Sequence, residues 1–127
     1  MTTTRDRHDD IVHRFADACR RADIAGLSGA LDADAVAVCD GGGLVPAAPG
    51  PVHGAADVAE LVAVLLCRRA DAELTVEAVN GRAGLAVRRD GRAAAVVGIG
   101  TANGKVSMLY IVLNPAKLGR WHRPDGF

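Results

Sequence analysis

The apolar positions of the chain follow two different periods, and the change falls near Ala72. Before it they recur every three or four residues. From Asp10 to Ala22, the residues Ile11, Val12, Phe15, Ala18, Cys19 and Ala22 form one stripe, with Arg14, Asp17, Arg20 and Arg21 opposite. That spacing predicts an amphipathic helix. "DIAGLSGAL" predicts a short second helix with Asp23 as its cap. "AVAVC", Ala35 to Cys39, reads as a short strand, and the glycine- and proline-rich stretch after it is irregular. "ADVAELVAVLLCRR" is the clearest helix: Val58, Leu61, Val62, Leu65 and Leu66 share a face, Asp57 lies in the first turn, and Arg68 and Arg69 lie in the last.

Beyond Ala72 the period is two. "ELTVEAVN", "AGLAVRR", "RAAAVVGIG" and "KVSMLYIVL" predict four strands, joined at Asn80-Gly81, Asp90-Gly91 and Asn103-Gly104. Such pairs favour two-residue hairpin turns, whose central residues need positive φ. The result is an antiparallel meander. Gly84, Gly98 and Gly100 inside the strands fit bends or bulges that curve it. In "NPAKL", Asn114 fits a cap and Pro115 a first helical position, so a short terminal helix is expected. Helices first and a bent sheet afterwards give an α+β fold: three N-terminal helices wrapped by a strongly curved antiparallel sheet, with a cavity at its open end.

Composition narrows this picture. A chain of 127 residues, half of them hydrophobic, suits one domain, with residues 1–9 as a polar, frayed lead-in and 119–127 as a tail. Lys+Arg and Asp+Glu are equal at 15 each, which gives no electrostatic footprint for direct nucleic-acid binding or for an anionic membrane. The stretch from Val58 to Cys67 is interrupted by Glu60 and is too short to span a bilayer. Arg82, Arg88, Arg89 and Arg92 read as solvated hairpin ends. Cys19, Cys39 and Cys67 are odd in number and widely spaced, with no secretory segment after Met1, so free, mostly buried thiols in a cytoplasmic protein are expected. Cys19 and Cys67 lie on apolar helix faces, as core filling requires. No His, Cys or Asp set has metal-ligand spacing, so neither a metal nor another cofactor is expected.

Three stretches carry a resemblance: "DGGG" at Asp40 to Gly43, "VNGRAGLAVRRDGR" at Val79 to Arg92, and "VLNPAKL" at Val112 to Leu118. With the order of elements, they make the chain similar to the SnoaL-like branch of the nuclear transport factor 2-like superfamily. The resemblance runs from about Ile11 to Leu118, and is strongest to the SnoaL-like C-terminal domain of extracytoplasmic-function sigma factors. It implies a cone-shaped barrel with an internal pocket, and the motif residues Asn114, Pro115, Lys117 and Leu118. Leu44 stands where that family usually has a basic residue, and Ala116 where it usually has an acidic one. The promoter-binding regions of those sigma factors are not in this sequence, so a stand-alone relative is expected. The resemblance also implies dimerisation through the outer sheet face. "AAAVVGIG" and "VSMLYIVL" lack clean polar alternation, as a covered outer face requires, and a homodimer or larger assembly is expected.

Asp40 is the leading candidate site residue, at a strand end before glycines that let a ligand approach the backbone. It reads as a turn-stabilising residue, as a ligand contact, or as a catalytic base. The resemblance supplies the third reading, because ketosteroid isomerases of the superfamily have a general-base aspartate at the matching point. Their oxyanion donors fall here on Phe15 and near Val97 to Ile99, where nothing can donate; losing such donors typically removes factors of about 10²–10³ each. The expected ligand site comprises Phe15, Cys19, Asp40, Gly41, Gly42, His53, Leu65, Leu66, Leu85, Val97 and Tyr110. Burial beside apolar walls there would raise the pKa of Asp40. His53 reads as a solvated loop residue or as one overhanging the pocket. Tyr110 reads as a sheet-surface residue or as a pocket donor. Trp121 and Phe127 are expected to anchor the tail, over the pocket mouth or in a subunit contact. The function expected first is binding of a small hydrophobic metabolite, or regulation through such binding. A cyclase, isomerase or hydrolase using Asp40 and a protein-interaction module are the alternatives.

Overall fold

The computed structural model describes residues 4–41, 50–67 and 71–121. Helix α1 spans Thr4–Arg20, α2 spans Ile24–Ala30 and α3 spans Ala55–Val62. Asp23 caps α2 by accepting a hydrogen bond from the Gly26 amide at 3.0 Å. The α3 stripe continues past Val62 as a π-helical turn, Ala63–Cys67, which buries Leu66 and leaves Val64 exposed. The basic pair expected at the end of this helix, Arg68 and Arg69, lies outside the described residues.

Six strands form one strongly curved, unclosed sheet. They are β1 (Leu31–Asp40), β2 (Val52–His53), β3 (Glu73–Val79), β4 (Arg82–Arg89), β5 (Arg92–Ala102) and β6 (Lys105–Val112), in the order β2-β1-β6-β5-β4-β3. The expected meander is there. Asn80, Asp90 and Asn103 have φ of 52°, 52° and 54°, and the glycine after each is also positive, at 83°, 78° and 79°. These are the two-residue turns whose twist matches paired strands. The sheet as a whole is mixed rather than antiparallel, because β1 lies parallel to β6. The two-residue β2, antiparallel to β1, lies in the stretch expected to be irregular. "NPAKL" forms a 3₁₀ turn at Pro115–Lys117, with the Asn114 side chain accepting from the Ala116 amide, and a second 3₁₀ turn follows at Gly119–Trp121.

The core lies between the helices and the inner sheet face. Phe15, Leu27, Val58 and Val62 meet Leu85, Val97, Leu109 and Ile111, all without exposed surface. Cys19 and Cys67 are joined as a disulfide that ties α1 to the turn after α3, with Cα atoms 5.3 Å apart. That spacing suits a disulfide. It corrects the expectation of free thiols at both positions; Cys39 is outside the pair. Residues 4–9 belong to α1 rather than to a frayed lead-in, and His8 is buried there. Its Nε2 donates to the Ala83 carbonyl at 2.8 Å, and its Nδ1 lies 3.0 Å from the Thr101 hydroxyl and 3.2 Å from Arg82 Nη2. With Nε2 as the donor, Nδ1 accepts from both. A polar residue can be buried here because the imidazole is fully hydrogen-bonded.

Candidate functional site

Alternation along the strands decides which side chains share a face. On β5, Ala95, Val97 and Ile99 point to the core, so Val96, Gly98 and Gly100 point outward. Register then fixes their neighbours. Val96 stands opposite Val112, Gly98 opposite Tyr110, and Gly100 opposite Met108 on β6. On β1, Asp40 pairs with Val112 and Val38 with Tyr110. Asp40 therefore belongs to the outer face, with Tyr110 and Val112. Phe15, Cys19, Leu85 and Val97 lie on the helix side of the sheet. The residues expected to form one pocket thus divide between two faces.

The outer face carries a cleft of about 470 Å³, lined by Val79, Asn80, Val96, Gly98, Tyr110, Val112, Lys117, Arg120 and Trp121. Glycine forms its floor. A Cβ added at Gly98 would lie 3.9 Å from both Tyr110 Cβ and Val79 Cγ1, so a methyl group there would occupy cleft volume without a clash. Neighbouring Gly84 differs: a Cβ there would come within 2.3 Å of the Val97 carbonyl oxygen, so the missing side chain permits close strand approach.

The two 3₁₀ turns fold the chain back over this face and supply Lys117, Arg120 and Trp121. Two contacts hold them. The Lys117 ammonium donates to Asp40 Oδ2 at 2.6 Å, joining the last residue of β1 to the "NPAKL" turn. Asp40 also accepts, through its backbone carbonyl, from the Leu113 amide at 2.7 Å. Asp40 is thus in an ion pair rather than among apolar walls, and its hydrogen bond holds Lys117 above the ordinary lysine range. The second contact is Arg88, 5% exposed, whose Nε donates to the Trp121 carbonyl at 2.8 Å. Its guanidinium forks onto Glu77, with Nη2 to Oε1 at 2.9 Å and Nη1 to Oε2, and reaches the Thr75 hydroxyl at 3.2 Å. Arg88 is held above the usual arginine range, chiefly by the hydrogen bonds it donates to Glu77 and against the effect of burial. It is not the solvated hairpin end that the arginine cluster suggested. Only the alternation of β4, which turns Arg88 toward Glu77 and the returning chain, carried that signal.

The other expected site residues are placed as follows. Gly41 is buried at the end of β1, and Gly42 lies outside the described residues. His53 is exposed on β2 opposite Val36, and the cleft lining does not include it. Leu66 is buried, and Leu65 packs against the core. Tyr110 is 41% exposed and lines the cleft. Leu118 is buried beneath the turn that Asn114 and Pro115 begin. Trp121 anchors the turn at the cleft, and Arg120 lies over its ring, 5.4 Å from the centroid. Phe127 lies outside the described residues. Among the described residues, no cluster of metal-ligating side chains occurs and no helix is long and apolar enough to cross a membrane.

No protein-family model and no curated protein matches the chain. Solved structures do. The extracytoplasmic function sigma factor SigJ of Mycobacterium tuberculosis is similar over 87% of this chain and 43% of its own, at 27% identity and a TM-score of 0.67. A ketosteroid isomerase candidate from Kribbella flavida matches 87% of this chain and 79% of its own, at 14% identity and a TM-score of 0.62. A nuclear transport factor 2-like protein of unknown function from Mesorhizobium loti matches 90% of this chain and 96% of its own, at 17% identity and a TM-score of 0.63. The three helices, the curved mixed sheet and these likenesses together give the chain the nuclear transport factor 2-like fold.

Proposed function

We propose that the chain is a small-molecule-binding protein with a regulatory role, and that its site is the cleft on the outer sheet face. The observation that carries this reading is convergence. The "DGGG" strand end and the "NPAKL" turn meet through Asp40 and Lys117 at a cleft floored by Gly98, Val96 and Val112. Its volume, about 470 Å³, lies in the range of small-ligand sites, and its lining is a mainly apolar surface with a few polar groups. The inner-face residues Phe15, Leu85 and Val97 have no exposed surface, so no water-sized space touches them.

The enzyme alternative rests on Asp40 as a base. The carboxylate is engaged with Lys117 instead, and Phe15 and Val97, at the positions of the isomerase donors, are core residues. Likeness to the isomerase candidate concerns the fold. The interaction-module alternative draws on SigJ, of whose chain this one spans 43%. A homodimer remains part of the proposal, through the part of the outer face beside the cleft, where Met108 on β6 is 37% exposed. Light scattering at micromolar concentration is expected to give a dimer mass.

A thermal-shift screen of hydrophobic metabolites against the parent and Gly98→Val tests the site. Compounds that stabilise the parent are expected to lose their effect in the variant, whose side chain fills the cleft floor. Stabilisation equal in both proteins would remove the cleft from the account.

A further inference from the structure

The chemistry of the cleft selects among hydrophobic ligands. Its floor is apolar, and its rim is cationic. The outer-face acids near it are matched by bases: Asp40 by Lys117, and Glu77 by Arg88. An ammonium carries three N–H donors, and the Asp40 contact uses one of those on Lys117. Arg120 is exposed, stacks over Trp121 and has no acidic partner among the described residues. Among the described residues, the rim therefore holds two cations against one carboxylate. Tyr110 lines the same cleft as Lys117 and adds a phenol to it. A neutral hydrophobe would leave the rim unused, and a hydrophobic cation would be repelled by it.

We infer that the cleft takes an amphipathic carboxylate, its hydrocarbon body on Val96, Gly98 and Val112 and its carboxylate between Arg120 and Lys117. This rests on the reading of the cleft as the ligand site and adds the ligand's class. Guanidinium suits the role, because its planar fork matches a carboxylate with two parallel hydrogen bonds. Trp121 gives Arg120 a flat surface to lie on, which reduces the freedom it loses on binding.

Isothermal titration of the intact protein with decanoate, decanol and decyltrimethylammonium, below their micelle or solubility limits, tests the inference. Decanoate is expected to bind at least about tenfold more tightly than decanol, as a charge-assisted contact implies. Decyltrimethylammonium is expected to bind weakest. Arg120→Gln, an exposed change that leaves the core untouched, is expected to remove most of the preference for decanoate and leave decanol unchanged. Gly98→Val is expected to abolish both. If decanol equals decanoate and Gly98→Val blocks both, the cleft stands as a site and the carboxylate class is overturned. If probes bind and Gly98→Val blocks none, the cleft and the ligand class fall together. No binding by any probe overturns the inference.

Discussion

Breaking the Glu77–Arg88 pair from the acidic side has a calculable consequence. Arg88 is 5% exposed, and Glu77 supplies two of its four hydrogen bonds; Thr75 and the Trp121 carbonyl supply the others. Glu77→Leu leaves a buried guanidinium facing an apolar side chain. Removing one partner of a fully buried pair costs about 3–5 kcal/mol. Glu77 is 28% exposed, so water already screens part of the attraction. The expected loss is about 2–4 kcal/mol, a fall in Tm of about 6–15 °C for a chain of this size. Urea unfolding followed by far-UV circular dichroism measures it. The double variant Glu77→Leu/Arg88→Met, apolar at both positions, is expected to recover most of the loss. Trp121 is the single tryptophan of the chain and reports separately on the turn. Its emission is expected to shift to the red in the double variant and in Arg88→Met alone, where the bond to its carbonyl is gone, and to stay near the parent value in Glu77→Leu. A Glu77→Leu protein within about 0.5 kcal/mol of the parent, the range of ordinary surface changes, would refute the reasoning.

Four other outcomes are expected. Asp40→Asn leaves the fold intact and lowers the Lys117 pKa toward the ordinary 10.5, as ¹⁵Nζ NMR titration reads; because the folded value is raised, the pair's contribution is fully present below 10.5 and is lost as pH rises through the folded value. His8→Ala removes the donor to the part-buried Ala83 carbonyl and two further contacts, and is expected to cost about 1–3 kcal/mol in urea unfolding. Reduction by dithiothreitol opens a loop closed across 48 residues and is expected to cost about 2–4 kcal/mol, with thiol titration before reduction finding no reactive Cys19 or Cys67. Gly84→Ala drives a Cβ against the Val97 carbonyl and is expected to cost at least about 1–3 kcal/mol, whereas Gly98→Ala is expected to keep the parent's urea midpoint.

The fold was legible where local chemistry is strict. A positive φ at two adjacent positions excludes most residues, so Asn80-Gly81, Asp90-Gly91 and Asn103-Gly104 announced three hairpins. Asp23 announced its helix in the same way. The parallel pairing of β1 with β6 was not legible, because no turn joins them and the pairing is made across the whole meander. Helical periodicity likewise gave the start of α3 but not its change to a π turn, which directs Cys67 to Cys19.

The site was legible in its motifs and not in its geometry. "DGGG" and "NPAKL" drew attention to Asp40 and Lys117, yet only register shows that they meet. The expectation of one pocket assumed that Asp40 and the large apolar residues share a face. One residue of alternation reverses that, since Cys39 packs on the core side and Asp40 does not. Arg88 was read from its charge, and charge alone describes a solvated residue. Its burial follows from the returning turn at Gly119–Trp121, which the sequence pattern did not place.

The central claim is that small ligands sit on the outer sheet face rather than within the cone, and intermolecular nuclear Overhauser effects from bound decanoate test it most directly. The account predicts contacts from the alkyl chain to Gly98 Hα, the Tyr110 ring and the Trp121 indole. Contacts instead to Phe15, Leu85 and Val97 would contradict it.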